Sequence, residues 1–342
     1  MRSYCAVYVD AGYLLASAAT RVTGTSLRGG VAIAYPALIE ALIEQAEVDS
    51  GLPLLRVHWY DSAYGHGGAP DTLQETIGML PRLKLRLGRM SPGGEQKGVD
   101  LRIGLDLATH GRNHIADVMY LVSGDDDLTE AVEEAQGHGS QVILLAAPNQ
   151  HGVAHAVSRN LQRAADGIVV IDPLIIDKTV KPRRKPAVPI SAATTAPPEA
   201  MGAAPGEEEA AKRVALAGPS PALLAGRRLP VGKTPRPTST MVYSSSTGSP
   251  PVNQYELSPE LDRAIDEVAH GVVDTWRETV TDADLRQVRS DRPYIPQDLD
   301  RTLLLDLSSR IGIYEIDEHT RHVLREHFWI VLNEKLGAST AQ

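Results

Sequence analysis

The chain has 342 residues, of which 42% are apolar and only 4% aromatic, and its formal net charge is −9. This length exceeds what one compact core normally holds, so two domains are expected. The single cysteine, Cys5, excludes an internal disulfide and a thiolate zinc cluster. No apolar run reaches the roughly 20 residues that a membrane span needs, and the N-terminus becomes acidic too soon for a signal peptide. These features predict a cytoplasmic protein with no membrane attachment.

Charge is distributed unevenly along the chain. Residues 1–177 and 255–342 each carry a net charge of −8, whereas residues 178–254 carry +7. The basic middle segment is rich in Pro, Ala, Ser, Thr and Gly and has few large apolar side chains. Because such a composition cannot bury enough surface to offset the entropy of ordering, it predicts a disordered linker between two acidic domains.

Short β-type runs alternate with helical patterns over the first domain. In chain order, the predicted strands are 6–9, 55–60, 83–89, 118–122, 142–147 and 167–171, and the predicted helices between them are 36–48, 73–80, 99–109, 128–136 and 154–164. This alternation implies an α/β fold of three layers, a parallel sheet with helices on both faces. Ligands of such sheets lie at the carboxyl ends of the strands.

After the linker the pattern is helical. The sequence Ser258-Pro259-Glu260 combines a cap, a proline at the first helical position and an acid in the first turn, which is typical of a helix start. The residues that follow have apolar side chains at helical spacing, and so do 296–310 and 318–333. Residues 255–342 are therefore predicted to form a small, mostly α-helical domain that is winged-helix-like or otherwise helical. Its acidity argues against unaided nucleic-acid binding and favours a protein partner.

The main candidates are acidic residues at the ends of two of the predicted strands. Asp10 follows the first strand, and Asp125 and Asp127 follow the strand 118–122. Carboxylates brought together at one sheet edge repel one another unless a cation lies between them, and hard oxygen ligands without His or Cys suit Mg²⁺ or Mn²⁺. The alternative for an acid at a helix start is a cap that complements the helix dipole. We favour the cap for Asp126 and the metal site for the acids on either side of it.

A second group of candidates surrounds the helix 99–109. A glycine-rich loop, 91–98, leads into Asp100 in the first turn of that helix, where its side chain can point back toward the same cleft. Since a helix turns about 100° per residue, Asp106 lies well off the face of Asp100, and its participation is left open. Lys97 is either a contact for a substrate phosphate or a solvated loop lysine.

Five short blocks occur in a characteristic order and spacing over residues 4–172. They are Val9-Asp10-Ala11-Gly12-Tyr13-Leu14, then Lys97-Gly98-Val99-Asp100 with Leu105-Asp106-Leu107, then Leu121-Val122-Ser123-Gly124-Asp125-Asp126-Asp127-Leu128, then Gly139-x-x-Val142, and finally Ser158-x-x-Leu161 with Ala165-Asp166. Together they resemble the NYN domain family, a group of PIN-like nucleases that includes LabA-like proteins. The resemblance implies a PIN-like fold and metal-dependent cleavage of RNA at clustered aspartates.

By this resemblance, the catalytic and metal-binding positions are Asp10, Asp100, Asp125 and Asp127. The second-tier candidates are Asp106, Asp126, Ser123, Tyr13 and Lys97. Many members of the family have Asn where this chain has Tyr13, and that amide would help to orient a water molecule or the substrate. A tyrosine can form hydrogen bonds at this position but is not a close substitute.

The function predicted from the sequence is that of an endoribonuclease that uses Mg²⁺ or Mn²⁺ to hydrolyse RNA phosphodiester bonds. The alternative is a non-catalytic NYN-fold protein with a regulatory or scaffolding role that binds RNA or a protein partner. A phosphohydrolase acting on monoesters is disfavoured, because that chemistry usually needs a second acid two residues after the nucleophile, where Asp10 is followed by Gly12. The sequence specifies no oligomeric state.

Overall fold

A central sheet organises the N-terminal part of the protein. The computed structural model describes residues 3–63, 68–90, 96–184, 258–313 and 316–339. The elements before the predicted linker are β1 (Cys5–Asp10), α1 (Ala11–Thr23), β2 (Val31–Ile33), α2 (Tyr35–Ser50), β3 (Leu54–Ser62), α3 (Thr72–Gly78), β4 (Leu83–Met90), β5 (Gln96–Lys97), α4 (Val99–Arg112), β6 (Val118–Val122), α5 (Thr129–Gly137), β7 (Gln141–Ala146), α6 (Arg159–Ala164), β8 (Gly167–Val170), α7 (Pro173–Thr179) and β9 (Val180–Pro182).

The strand order places a reversal of the chain's path beside β1. The order across the sheet is β5-β4-β3-β1-β6-β7-β8, and all neighbours are parallel except the short β5, which pairs antiparallel with β4. The chain winds outward from β1 to β4, returns to β6 on the other side of β1, and then winds outward to β8. In open parallel sheets, a ligand crevice forms where the order reverses, at the carboxyl ends of the two central strands. The predicted α/β fold with a parallel sheet is confirmed.

Both faces of the sheet are covered by helices, which gives three layers. Alternate residues of β1 point to opposite faces: Val7 and Val9 pack with α1, α2 and α7, whereas Ala6 and Tyr8 pack with α4, α5 and α6. The central strands are consequently apolar on both faces, as parallel strands buried between two helical layers must be. This burial leaves the strand ends as the place where polar side chains of the sheet reach solvent.

Two boundaries differ from the sequence-based expectation. The helix predicted over 154–164 begins only at Arg159, because Ser158 caps it by accepting the N–H of Leu161 at 3.0 Å and the residues before it form a loop. The prediction also places the start of the linker, at residue 178, too early in the chain. Its first residues complete α7 and then form β9, which pairs antiparallel with β2. Most of the predicted linker lies outside the described residues.

The C-terminal residues form helices, as predicted. They are α8 (Pro259–Arg277), α9 (Asp282–Ser290), α10 (Gln297–Ile311) and α11 (Glu318–Ser339). The expected cap at the start of α8 is present, since the Ser258 hydroxyl accepts the N–H of Leu261 at 3.2 Å. These helices bury an apolar cluster of their own, which Leu27 from the N-terminal part joins. Among the described helices, none combines the length and the apolar character that crossing a membrane requires.

Candidate functional site

Asp10 occupies the junction between the first strand and the first helix. It is the last residue of β1 and the N-cap of α1, where its Oδ1 accepts the N–H of Tyr13 at 3.2 Å. Burial raises the pKa of the Asp10 carboxyl group to about 6, against the effect of that hydrogen bond, and the nearby charge of Asp100 raises it further. A carboxylate that is costly to ionise in the free protein is one that a cation would stabilise.

The residues after β6 bring a second carboxylate beside the first. The Ser123 hydroxyl lies 3.4 Å from Oδ2 of Asp10, to which it donates, and it accepts the N–H of Asp125 at 3.3 Å. Asp125 in turn caps a 3₁₀ turn by accepting the N–H of Asp127 at 3.1 Å. Ser123 is fully buried. Through these two hydrogen bonds it links the end of β1 to the residues that follow β6.

Asp126 has a different role from the helix cap that the sequence suggests. Its carboxylate accepts hydrogen bonds from the Ser158 hydroxyl and, at 3.2 Å, from the Asn160 side chain. These two donors lower the pKa of Asp126, the hydroxyl having the larger effect. Asp126 thus anchors the start of α6, and Asp125 is the residue that caps.

Asp100 faces the same group of acids from α4. Burial raises the pKa of its carboxyl group, and the negative charges of Asp125 and Asp127 raise it further. Asp10, Asp100 and Asp125 line one cavity of about 1060 Å³. Asp100 therefore interacts electrostatically with each of the other three acids of the predicted cluster. Asp127 does not itself line the cavity, whereas Asp126 does.

One second-tier candidate, Asp106, lies elsewhere. The Asp106 carboxylate accepts a hydrogen bond from the Tyr60 hydroxyl at 2.8 Å and forms an ion pair with Arg86 at 3.2 Å, so it fastens α4 to the sheet and does not line the cavity. The physical reason is the helical turn, which directs Asp106 and Asp100 to different faces. Lys97 lies on β5, and its side chain is outside the described residues.

Tyr13 and Gly124 close the edge of the site against the loop between β7 and α6. The Tyr13 hydroxyl donates to the carbonyl of His155 at 2.7 Å and accepts the N–H of Ala147 at 3.2 Å. A Cβ on Gly124 would lie 1.9 Å from the carbonyl oxygen of Ala156 and 2.9 Å from Cε2 of Tyr13. Gly124 is therefore required by this close approach of the two backbones, and the Tyr13 hydroxyl holds the loop in place instead of pointing at the acids.

Removing this hydroxyl is expected to destabilise the protein. Tyr13→Phe leaves the ring in place but deprives two partly buried backbone groups of their partner, which costs about 1–3 kcal/mol. Urea denaturation of Tyr13→Phe should show a lower free energy of unfolding than the wild-type protein. Tyr294→Phe is the matched control, because Tyr294 is 68% exposed and its variant should stay within about 0.5 kcal/mol of the wild type. Equal losses in the two variants would contradict the assigned role.

Two residues that sequence reasoning missed also border the site. Asp61 lies at the end of β3, next to β1 in the sheet, and its carboxylate is held by the N–H of Ser62 at 2.8 Å and by the Gln74 side chain at 3.0 Å. The sequence does contain a signal for Asp61, because this acid directly follows the predicted strand 55–60. Burial raises the pKa of Asp61, as it does that of Asp10, and the nearby Arg28 guanidinium partly offsets the rise in both groups. Nothing in the sequence around Arg28 indicates this placement.

The donor set suits a hard divalent cation that keeps part of its water shell. Asp10, Asp100, Asp125 and Asp127 offer carboxylate oxygens. Burial, and to a smaller extent neighbouring charge, raises the pKa values of Asp10 and Asp100, and a bound cation would favour their ionised forms. Within the described residues, no group of three or more acidic, His or Cys side chains is arranged to hold an ion unaided. Mg²⁺ typically uses only one or two carboxylates together with water and substrate phosphate oxygens. The residues present therefore fit such an ion.

The chain is similar to two known proteins and to one protein family. The chain is 34% identical over 125 residues to an uncharacterized protein, y4oD, of Sinorhizobium fredii, a match that covers 36% of this chain and 57% of that relative. The chain thus spans little more than half the length of the relative it matches. A crystal structure of a protein of unknown function from Vibrio parahaemolyticus is 21% identical, with a TM-score of 0.35, and the match covers 50% of this chain and 94% of that one. Residues 4–172 match the model of the NYN domain. This part of the chain therefore belongs to the NYN domain family, which is a family of PIN-like nucleases.

Proposed function

We propose that the protein is a metal-dependent endoribonuclease. The observation that carries this proposal is the meeting of Asp10, Asp100 and Asp125 in one cavity at the point where the strand order reverses. Asp127 completes the cluster, since its charge reaches Asp100. An acidic crevice of this kind binds a polyanion only when a cation stands between them, and RNA is the substrate that the NYN family suggests.

The surroundings of the aspartates support different roles for them in this proposal. Asp10 and Asp125, which Ser123 ties together, would hold Mg²⁺ or Mn²⁺. When bound, such an ion supplies electrostatic stabilisation of the charge that develops on the phosphate. Asp100 remains accessible to solvent, and partial desolvation together with the charges of Asp125 and Asp127 raises its pKa. Its carboxylate is thus suited to accept the proton of the attacking water while the phosphorus–oxygen bond to the leaving strand breaks.

The test compares cleavage of single-stranded RNA by the wild-type protein and by Asp125→Asn in the presence of Mn²⁺. The substitution removes one charge and one ligand oxygen while keeping the shape of the side chain, so the rate should fall at least about 100-fold. Glu133→Gln is the matched control, since Glu133 is an exposed acid on the adjacent helix α5. It should cut at the wild-type rate.

Equal cleavage by the wild-type protein and Asp125→Asn would refute the proposal. The alternative, a non-catalytic protein that keeps the fold, makes a different prediction. In that case Mn²⁺ would raise the melting temperature of the wild-type protein without any turnover of RNA. One specific observation favours this alternative: the hydroxyl of Tyr13, at the position where many relatives have Asn, is engaged with the backbone of His155 and Ala147.

A further inference from the structure

The C-terminal helices contact the N-terminal part through the segment that follows α1. The backbone N–H of Ser26 donates to both carboxylate oxygens of Asp306 on α10, at 3.0 and 3.2 Å. The next residue, Leu27, is only 4% exposed and packs within the apolar cluster of α8–α11. One polar contact and one apolar contact, from adjacent residues, therefore fix α10 relative to the end of α1.

Close packing of α8 against the same segment reinforces this arrangement. A Cβ on Gly30 would lie 2.7 Å from Cγ2 of Thr275 on α8, and a Cβ on Gly271 of α8 would lie 3.5 Å from Cγ2 of Thr25. Gly30 precedes β2 and follows Arg28, which borders the acidic cluster. The segment 25–30 thus connects the C-terminal helices directly to the edge of the candidate site.

Residues of α10, and Pro296 just before it, also line the cavity that contains the aspartates. Pro296, Asp298, Arg301, Thr302 and Leu305 line it together with Asp10, Asp100 and Asp125. Arg301 is exposed, lines the same cavity as Asp100, and lies near enough for its positive charge to act on that carboxylate. Among the described residues, the structure gives Arg301 no hydrogen bond or ion pair. Its guanidinium group is thus available on the wall that faces the acidic cluster.

Other cationic side chains of the cavity are placed differently. Arg28 acts on the carboxyl groups of Asp10 and Asp61, and Arg310 forms an ion pair with Glu267 on α8. Arg183 also lines the cavity, at the end of the strand that pairs with β2. Arg301 is distinguished from these by its position across from Asp100 on a helix of the C-terminal part.

We propose that Arg301 binds a backbone phosphate of the nucleic-acid strand, so that the C-terminal helices supply one wall of the substrate cleft. A guanidinium group opposite a carboxylate cluster offers a planar set of donors for phosphate oxygens. A strand that enters between α4 and α10 would then meet the aspartates on one side and Arg301 on the other. This proposal rests on the proposed function for the class of substrate, but it concerns binding and not the chemical step.

The experiment measures binding of a fluorescein-labelled 20-nucleotide single-stranded RNA by anisotropy over a series of KCl concentrations, with Mn²⁺ present throughout. The full-length chain carries Asp125→Asn, so that cleavage during the measurement is slow, and is compared with and without Arg301→Gln. Loss of one phosphate contact should weaken binding roughly threefold to tenfold. It should also reduce the magnitude of the slope of log affinity against log salt by about 0.7. A purely structural role for Arg301 would not change that slope. The matched control is Arg286→Gln, an exposed arginine of α9 that lies outside the cavity lining.

The outcomes separate this proposal from the proposed function. Lower affinity and a shallower salt slope for Arg301→Gln, with Arg286→Gln unchanged, would support it even if the wild-type protein cuts no RNA. Equal effects of the two substitutions would overturn it while leaving nuclease activity of the wild-type protein intact. Tighter binding by Arg301→Gln would also overturn it, because the arginine would then compete with the substrate for the carboxylates. Absence of RNA binding by the parent chain overturns it as well.

Discussion

Replacing Asp10 by Asn is expected to abolish RNA cleavage and, at neutral pH without added divalent cation, to stabilise the fold. The carboxyl group is desolvated where β1 ends, and its pKa of about 6 lies well above the ordinary 3.8. Asn retains the shape and can still cap α1, but it carries no charge to bury. The cleavage rate should fall at least about 1000-fold, since a ligand of the proposed ion is lost.

The sign of the stability effect follows from proton linkage. Below about pH 4 both the folded and the unfolded chain hold the Asp10 proton, whereas between about pH 4 and pH 6 only the folded chain holds it. The wild-type protein therefore loses stability as the pH rises through this window. The loss amounts to about 2–3 kcal/mol and is complete above about pH 6. Asp10→Asn has no such loss, so its advantage should be present at pH 7.5 and vanish near pH 4.

Thermal denaturation at pH 7.5 and pH 4 measures this difference. Burial also raises the pKa of Asp306 to about 6, but both proteins contain Asp306, so comparison of the two isolates Asp10. Asp177→Asn is the control. Its carboxylate pairs with Arg21 at 2.8 Å and has a lowered pKa, so this substitution should not raise the melting temperature at pH 7.5. A melting temperature for Asp10→Asn that equals the wild-type value at both pH values would contradict the expectation. Added Mn²⁺ should stabilise the wild-type protein more than Asp10→Asn.

Gly124→Ala is expected to cause the largest loss of stability among single-methyl changes at the site. The new Cβ would lie 1.9 Å from the carbonyl oxygen of Ala156. The positions of both atoms are set by the backbone, so no side-chain rotation can relieve the clash. The N–H of Ser158 also donates to the Gly124 carbonyl at 3.0 Å, so the two segments cannot separate without losing a hydrogen bond. Overpacking of this severity costs about 3 kcal/mol or more.

The same change at a glycine with free space should have the opposite sign. A Cβ on Gly137, near the end of α5, would meet no atom within 4 Å. Alanine there should be neutral or stabilise the helix by up to about 1 kcal/mol. Urea denaturation of Gly124→Ala and Gly137→Ala therefore tests the role of the close approach and not of glycine in general. Similar free energies of unfolding for both variants would contradict this expectation, because they would show that the loop at Ala156 can shift to accommodate the new methyl group.

Local pattern was sufficient for most of the first domain. The strand over 118–122 is found at the predicted residues, because a continuous apolar run bounded by polar turn residues has few other ways to be buried. Helix α1 was not predicted, since it contains only small or polar residues between Leu15 and Val22 and so lacks a longer run of large apolar residues at helical spacing. It forms because Asp10 caps its start and because the sheet buries Leu14 and its neighbours.

Hydrophobic period and strand-end position are local properties, so they were enough to predict the α/β class, the parallel sheet and the acids that follow β1 and β6. Which acids share a cavity depends on tertiary packing. Asp106 is engaged by Tyr60 and Arg86 on another face of α4. The positions of Asp61 and Arg301 likewise depend on strand order and on packing between segments far apart in the chain. Such distances are set when apolar surfaces from separate segments are buried together, and no spacing along the sequence encodes them.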